Sequence, residues 1–475
     1  MVSPVGGADV RPNLAPGSAH HCYPELNRAG RRLPPHGVHS TASYGNPAKV
    51  QRSHSVSASS LIALLLTVTG ISAYLNHRFL RLPLAVGVMA VSLSFSLLCI
   101  VGERLGFPLY GWAASTVAHV DFSETLLDGM LSFLLFAGAL HVDLKELREQ
   151  KATVALLATI GVLLSTGIIG VSSWLLFRLM GLEIPLLGCL TFGALISPTD
   201  PIAVMGLLQQ MKVSKSLSTK IAGESLFNDG VGIVTFLLLL RIWSGGSSTF
   251  SWQHTLLLLA QEVLGGLGIG LVLGVLCFLL LRSVDNYQVE LLLTLALVSG
   301  GYQLASNLHT SGALAIVVAG LVIGNYGRAY AMSENTRRNL DGFWETLDHV
   351  LNGVLFVLIG LEVLVLHLTR ESVFAAMLVI PLVLCARYIS LAAPIRAISA
   401  LRKDSTPISI LTWGGLRGGI SIALALSLPD GKIREVLLVA TYSTVAFSIL
   451  VQATTMPWLL KQSFNREKEA TAKHA

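Results

Sequence analysis

Residues 184–208 read IPLLGCLTFGALISPTDPIAVMGLL. The run is apolar and long enough for a membrane span, since about 20 helical residues at 1.5 Å rise cross about 30 Å of hydrocarbon. Yet its middle holds Ser197-Pro198-Thr199-Asp200-Pro201. Each proline lacks an amide donor and disfavours helix in the residue before it, so this stretch predicts a helix broken part-way along. A break at membrane depth is tolerated only where it is buried in protein or lines a cavity. It frees backbone carbonyls and amides beside the Asp200 carboxylate, a combination that suits a cation. A plain proline kink would need no aspartate.

The chain on either side has the same character. Of its 475 residues 53% are hydrophobic and 13% charged, and mean hydropathy is +0.67. A soluble domain carries about twice that charged share. About 13 apolar runs of spanning length follow one another. They centre on 59–76, 82–101, 122–141, 153–178, 184–208, 219–240, 253–281, 287–306, 311–327, 343–367, 373–395, 408–428 and 434–460. The fold class expected is therefore an all-α polytopic membrane protein.

Residues 1–58 are rich in Pro, Gly, Ser, His and Arg and contain no apolar run. They are expected to be a disordered extension, or a stretch upstream of the true start. Residues 59–462 form the transmembrane domain, and 463–475 a short basic tail. The net charge of +6 fits basic loops on one side of a membrane, so no nucleic-acid partner is expected. Loops after odd-numbered runs carry Arg78 and Arg81; Lys145, Arg148 and Lys151; Lys212, Lys215 and Lys220; Arg328, Arg337 and Arg338; and Arg396, Arg402 and Lys403. Loops after even-numbered runs are poorer, with Arg104, Arg178, Arg241, Arg370, Lys432 and Arg434. The C-terminus is thereby expected in the cytoplasm and the N-terminus outside, in a cell (inner) membrane. Cys22, Cys99, Cys189, Cys277 and Cys385 are scattered without metal or CxxC spacing, and no cofactor is expected.

Ionisable residues inside spans are costly and mark function. The sixth run opens with Gly223-Glu224-Ser225-Leu226-Phe227-Asn228-Asp229-Gly230. Ser225 and Asp229 share one helix face, and Glu224 and Asn228 the next. The plainer alternative is a solvated helix start with an acidic first turn. The twelfth run holds Trp413-Gly414-Gly415-Leu416-Arg417-Gly418-Gly419, where glycines around an arginine predict a second broken helix. Arg387 stands alone in the middle of the eleventh run. The breaks fall in the fifth run of the first six and the fifth of the last six, which points to an inverted repeat of six-helix units. Asp348, His349 and Asn352 lie along one face of the tenth run. They are read as inter-helix hydrogen bonds, with a funnel lining as the alternative. His141 and His309 sit at helix ends, where a pH-sensing role is the functional alternative.

The stretches LLFAGALHVDL (134–144), ALISPTDPIAV (194–204), GESLFNDGVGIV (223–234), SGALAIVVAGLVIGN (311–325), FVLIGLEV (356–363) and WGGLRGGISIALALSLP (413–429) resemble those of a known family. It is the monovalent cation:proton antiporters of the bacterial NhaP and eukaryotic sodium/proton exchanger type. The resemblance implies an antiporter fold of the NhaA/NhaP kind with 13 helices, a homodimer, and a core of spans 4–6 and 11–13 moving against a dimerisation scaffold. It implies that Na+, or Li+ or K+, binds near Asp229, with Asp200, Ser225 and Thr199 as further contacts and Asn228 beside them. Glu224 and Arg387 resemble the family's structural ion pair, and Arg417 the arginine of the second broken helix. Many relatives carry a glutamate in the third span where this chain has Ala137.

Exchange can follow from competition, with a proton or a cation held at Asp229 and the core moving only when one is bound. Burial disfavours the charged carboxylate, which lets protons compete. With Asn228 preceding Asp229, only one titrating charge is present at that pair, and the family comparison implies electroneutral one-for-one exchange. A cation channel would show a pore loop or a charged ring. An intramembrane hydrolase using Asp200 and Asp229 as acid and base would need neither twin breaks nor buried arginines. The chain is expected not to be an enzyme.

Overall fold

The computed structural model describes residues 58–475 apart from 107–108, 119–121, 202–203, 206–207, 209–210, 212, 214, 246–251, 398–406 and 475. The expectations for the N-terminal extension and Cys22 lie outside the described residues, as do those for Lys212, Arg402 and Lys403.

The helices, in chain order, are α1 (Ser60–Leu80), α2 (Leu84–Arg104), α3 (Leu109–Ala118), α4 (Phe122–Leu140), α5 (Leu144–Glu149), α6 (Lys151–Leu179), α7 (Leu186–Ile196) and α8 (Lys215–Gly245). They continue with α9 (Trp252–Arg282), α10 (Tyr287–Asn307), α11 (Gly312–Tyr330), α12 (Glu334–Glu362), α13 (Arg370–Ala397), α14 (Ile408–Gly414), α15 (Gly419–Leu426) and α16 (Lys432–Ser463). Eleven of these are long and apolar enough to cross a membrane. They match eleven of the expected runs. The remaining two runs, 184–208 and 408–428, are the ones in which a break was expected, and there the helices are short. Helix continues past residue 463 to His474.

Both broken runs are built alike. Pro185 precedes α7 and Pro407 precedes α14, positions where a missing amide costs a helix nothing. Helix α7 stops at Ile196, before the two prolines. Helix α14 stops among its glycines, and α15 restarts at Gly419.

Two corrections to the sequence expectations concern element bounds. The 223–230 motif does not open its helix, since α8 begins at Lys215. Glu224, Ser225, Asn228 and Asp229 are all buried, so a solvated acidic first turn is excluded. Lys220, counted above as a loop charge, is buried in the same helix. Helix α3 was not expected, because at ten residues it is too short to register as a span.

Two apolar clusters fill the bundle. One joins α2, α7 and the end of α12 to α13–α16. The other joins α4, α11 and parts of α9, α10 and α12 around Trp344. Trp344 is fully buried among Phe133, Phe136 and Phe343, and its indole N–H donates to the Thr294 hydroxyl at 3.2 Å. Helices α6 and α7 meet backbone to backbone: a Cβ on Gly193 would lie 3.1 Å from the Gly170 nitrogen. Such close approach is how helices associate where lipid removes the hydrophobic drive.

Candidate cation site

The two breaks cross. The Asp200 amide donates to the Leu416 carbonyl at 2.8 Å, an isolated antiparallel bridge between otherwise helical segments. Broken helices leave carbonyls without intrahelical donors. The side chain of Arg417 supplies them: it donates to the Ser197 carbonyl, and to the Pro198 carbonyl at 3.0 Å. The arginine of the second break thus caps the C-terminal end of α7, where the helix dipole favours a cation. Its own amide donates to Ser448 Oγ at 2.9 Å, at the start of a π-type turn (Ser448–Gln452) in α16. Gly418 admits Asp200, since a Cβ there would lie 2.5 Å from a carboxylate oxygen.

Thr199 is held by α8. The Asn228 amide group donates to Thr199 Oγ1 at 2.7 Å, and Asn228 Oδ1 accepts the Thr199 amide at 3.2 Å. The hydroxyls of Thr199 and Ser225 are 3.1 Å apart. Asn228 thereby satisfies one backbone amide that the break frees, and fixes the threonine hydroxyl beside it.

Asp229 is 7% exposed. With Asp200, Thr199, Gly418 and Ser421 it lines a cavity of about 1090 Å³. The cavity also reaches Asp143, Glu146, Arg328 and Arg337 near helix ends, and Glu345, Asp348 and His349 within α12. The structure therefore brings all five expected site residues together. Asp229, Asp200 and Thr199 are on the wall, while Ser225 and Asn228 stand behind Thr199. Ala137 is also on the wall, where a longer acidic side chain would enter the cavity. Asp348 and His349 line the funnel instead of serving only to join helices, whereas Asn352 is buried away from it. His141 lines the cavity with its Nδ1 2.8 Å from the Ala137 carbonyl. His309 lies at the end of α10 with φ 54°.

Glu224 and Arg387 pair as expected. Arg387 Nη1 lies 2.6 Å from Glu224 Oε1, and Nη2 donates to Oε2 at 2.8 Å. Both side chains are 3% exposed. The two-pronged contact ties α8 to α13. Gly415 makes room for it: a Cβ there would lie 2.8 Å from a guanidinium nitrogen. Both breaks and both ion-pair partners thus form one connected centre.

Sequence reasoning missed Asn325. Its Oδ1 accepts the Leu144 amide at 2.7 Å, and its Nδ2 donates to the Val142 carbonyl at 3.0 Å, holding α5 at the cavity mouth. Its polar side chain in an apolar run was the available signal.

A family model described as the transmembrane sodium/hydrogen exchanger matches residues 62–462. The Na(+)/H(+) antiporter NhaP of Pseudomonas aeruginosa is 46% identical over 410 residues, which is 85% of this chain and 96% of that protein. The Na(+)/H(+) antiporter NhaH of Halobacillus aidingensis is 34% identical over 420 residues, 86% of this chain and 98% of its own. Among solved structures, the sodium proton antiporter MjNhaP1 from Methanocaldococcus jannaschii at pH 8 superposes with a TM-score of 0.64. It shares 19% identity and covers 84% of this chain and 96% of its own.

Proposed function

The chain belongs to the sodium/hydrogen exchanger family, and from that membership we propose that it exchanges one Na+ for one H+ across a cell (inner) membrane, by competition at Asp229. The observation that carries the assignment is the end of the cavity, where Asp229 faces the crossing of two broken helices. A small hard cation gives up hydration water only for several oxygens. The Asp229 and Asp200 carboxylates and the Thr199 hydroxyl offer them from one wall, with Ser225 and Asn228 keeping the threonine in place. A proton neutralises the same carboxylate. Either ion lets the core pass an apolar barrier, whereas a bare Asp229 would carry a charge through it at high cost.

Arg387 and Arg417 are spoken for by Glu224 and by the α7 carbonyls, which supports a structural role for both and leaves Asp229 as the exchanging group. The cavity reaches Glu146, Arg328 and Arg337, beside the loops expected in the cytoplasm. With those loops inside, the proposal makes this conformation inward-facing and keeps the C-terminus inside and the N-terminus outside. Thirteen crossings, an inverted repeat and a homodimer complete the proposal. The eleven long helices with two short-helix runs in matching places support the first two.

Purified protein in liposomes carrying a pH dye tests the reading. A Na+ jump is expected to alkalinise or acidify the lumen according to its direction. Asp229→Asn is expected to lower the rate to that of empty liposomes while keeping the wild-type melting profile. Undiminished exchange by that variant would reject Asp229 as the carrier.

A further inference from the structure

Against Arg387 and Arg417 lies a second, much smaller cavity of about 10 Å³. Its wall includes Arg387, Arg417, Gly415, Thr412, Thr444 and Gln452. Both arginines are at least nine-tenths buried. Each keeps N–H groups without an acceptor among the described protein groups: the one on Nε of Arg387 and the two on Nη2 of Arg417. An unsatisfied buried donor is costly, more so on a charged group.

We propose that this cavity is a binding site for one water molecule, which bridges the two guanidiniums. The volume matches that of a single water, which needs about 10–15 Å³ and two to four polar partners. The water oxygen accepts one N–H from each arginine. Its two hydrogens go to the lone pairs on the same wall. Thr444 Oγ1 spends its own hydrogen on the Ala440 carbonyl at 2.8 Å, and Thr412 Oγ1 spends its own on Ile408 at 2.7 Å. Both hydroxyls therefore face the cavity as acceptors only.

That donor and acceptor pattern selects the guest. A cation is repelled by two guanidiniums. A halide would be welcomed by them but would meet the two threonine lone pairs. Water alone has two acceptor and two donor positions to match. The bridge also gives the second break a role beyond its glycines. It joins the Glu224–Arg387 pair to Arg417, and through Arg417 to the carbonyls of the first break, so that one hydrogen-bonded unit spans α7, α8, α13 and α16.

The test is a density map of the full-length protein at a resolution that shows ordered buried waters, alongside crystals soaked in sodium bromide. One peak is expected within hydrogen-bond distance of Arg387 Nε and Arg417 Nη2, with no bromide anomalous signal at that place. In Thr444→Ile, whose ethyl group replaces the hydroxyl acceptor and occupies the cavity, the peak is expected to vanish. An empty cavity in the wild-type map would overturn the proposal, as would bromide in it, which would make the guest an anion. A wild-type peak bonded to only one arginine would overturn the bridging role.

Discussion

A glutamate and an arginine, each 3% exposed, are among the most expensive residues a bundle can hold. Their attraction in low dielectric offsets the desolvation only while the geometry stays good. Glu224 and Arg387 meet that condition with two short contacts. Losing one partner leaves the other charge buried alone, a cost of about 3–5 kcal/mol. Glu224→Ala is therefore expected to lower the melting temperature in detergent sharply. Replacing both partners at once, as in Glu224→Gln with Arg387→Met, is expected to recover most of that loss. A double variant no more stable than the single one would show that Glu224 acts through something other than the pair. Arg417 differs in kind. Its partners are backbone carbonyls, so no carboxylate change can rescue Arg417→Met.

At the level of elements, the two interrupted helices hold each other. Gly418 is a tight point of the crossing, because Asp200 occupies the space a Cβ would need. Gly418→Ala is expected to displace the carboxylate and reduce Na+ exchange severely with the helices intact. Gly342, on the exposed face of α12, has nothing within 4 Å of a built Cβ. There the alanine is expected to leave exchange unchanged and to stabilise by about 0.5–1 kcal/mol. Equal exchange by the two variants would deny the Gly418 contact its importance. The breaks themselves were legible in the sequence, because proline and clustered glycine act locally on the backbone. The candidate site residues, which the fold brings together, stood out in the sequence because carboxylates are rare inside spans. Their division of labour was not. That Asn228 supports Thr199 while Asp229 faces the cavity depends on which way a helix presents its faces to a segment 29 residues earlier. The partner of Arg417 was hidden for a plainer reason: every residue has a carbonyl, so the capped ones carry no mark in the sequence. Helices α3 and α5 were missed because each is shorter than a span, and Lys220 was misplaced because α8 begins earlier than its apolar run.

For the whole molecule, the charge that crosses with the moving core decides how voltage acts on it. In the proposed exchange, one titrating carboxylate at the Asn228–Asp229 pair gives the core the same net charge with Na+ as with H+. The Glu224–Arg387 pair sets one acidic group directly against one basic group and takes no part in the exchange. Moving one elementary charge across 100 mV is worth about 2.3 kcal/mol. At about 1.4 kcal/mol per tenfold, an exchanger carrying one net charge per cycle would shift its equilibrium Na+ ratio by about 50-fold at that potential. One-for-one exchange shifts it not at all. Liposomes with a potassium diffusion potential set by valinomycin separate these outcomes. The Na+ gradient at which proton flux reverses is expected to equal the H+ gradient at every clamped potential. A reversal point that moves with voltage would require a second charge in the cycle. Asp200, on the same cavity wall, would then be the first group to test, with Asp200→Asn expected to return the reversal point to voltage independence.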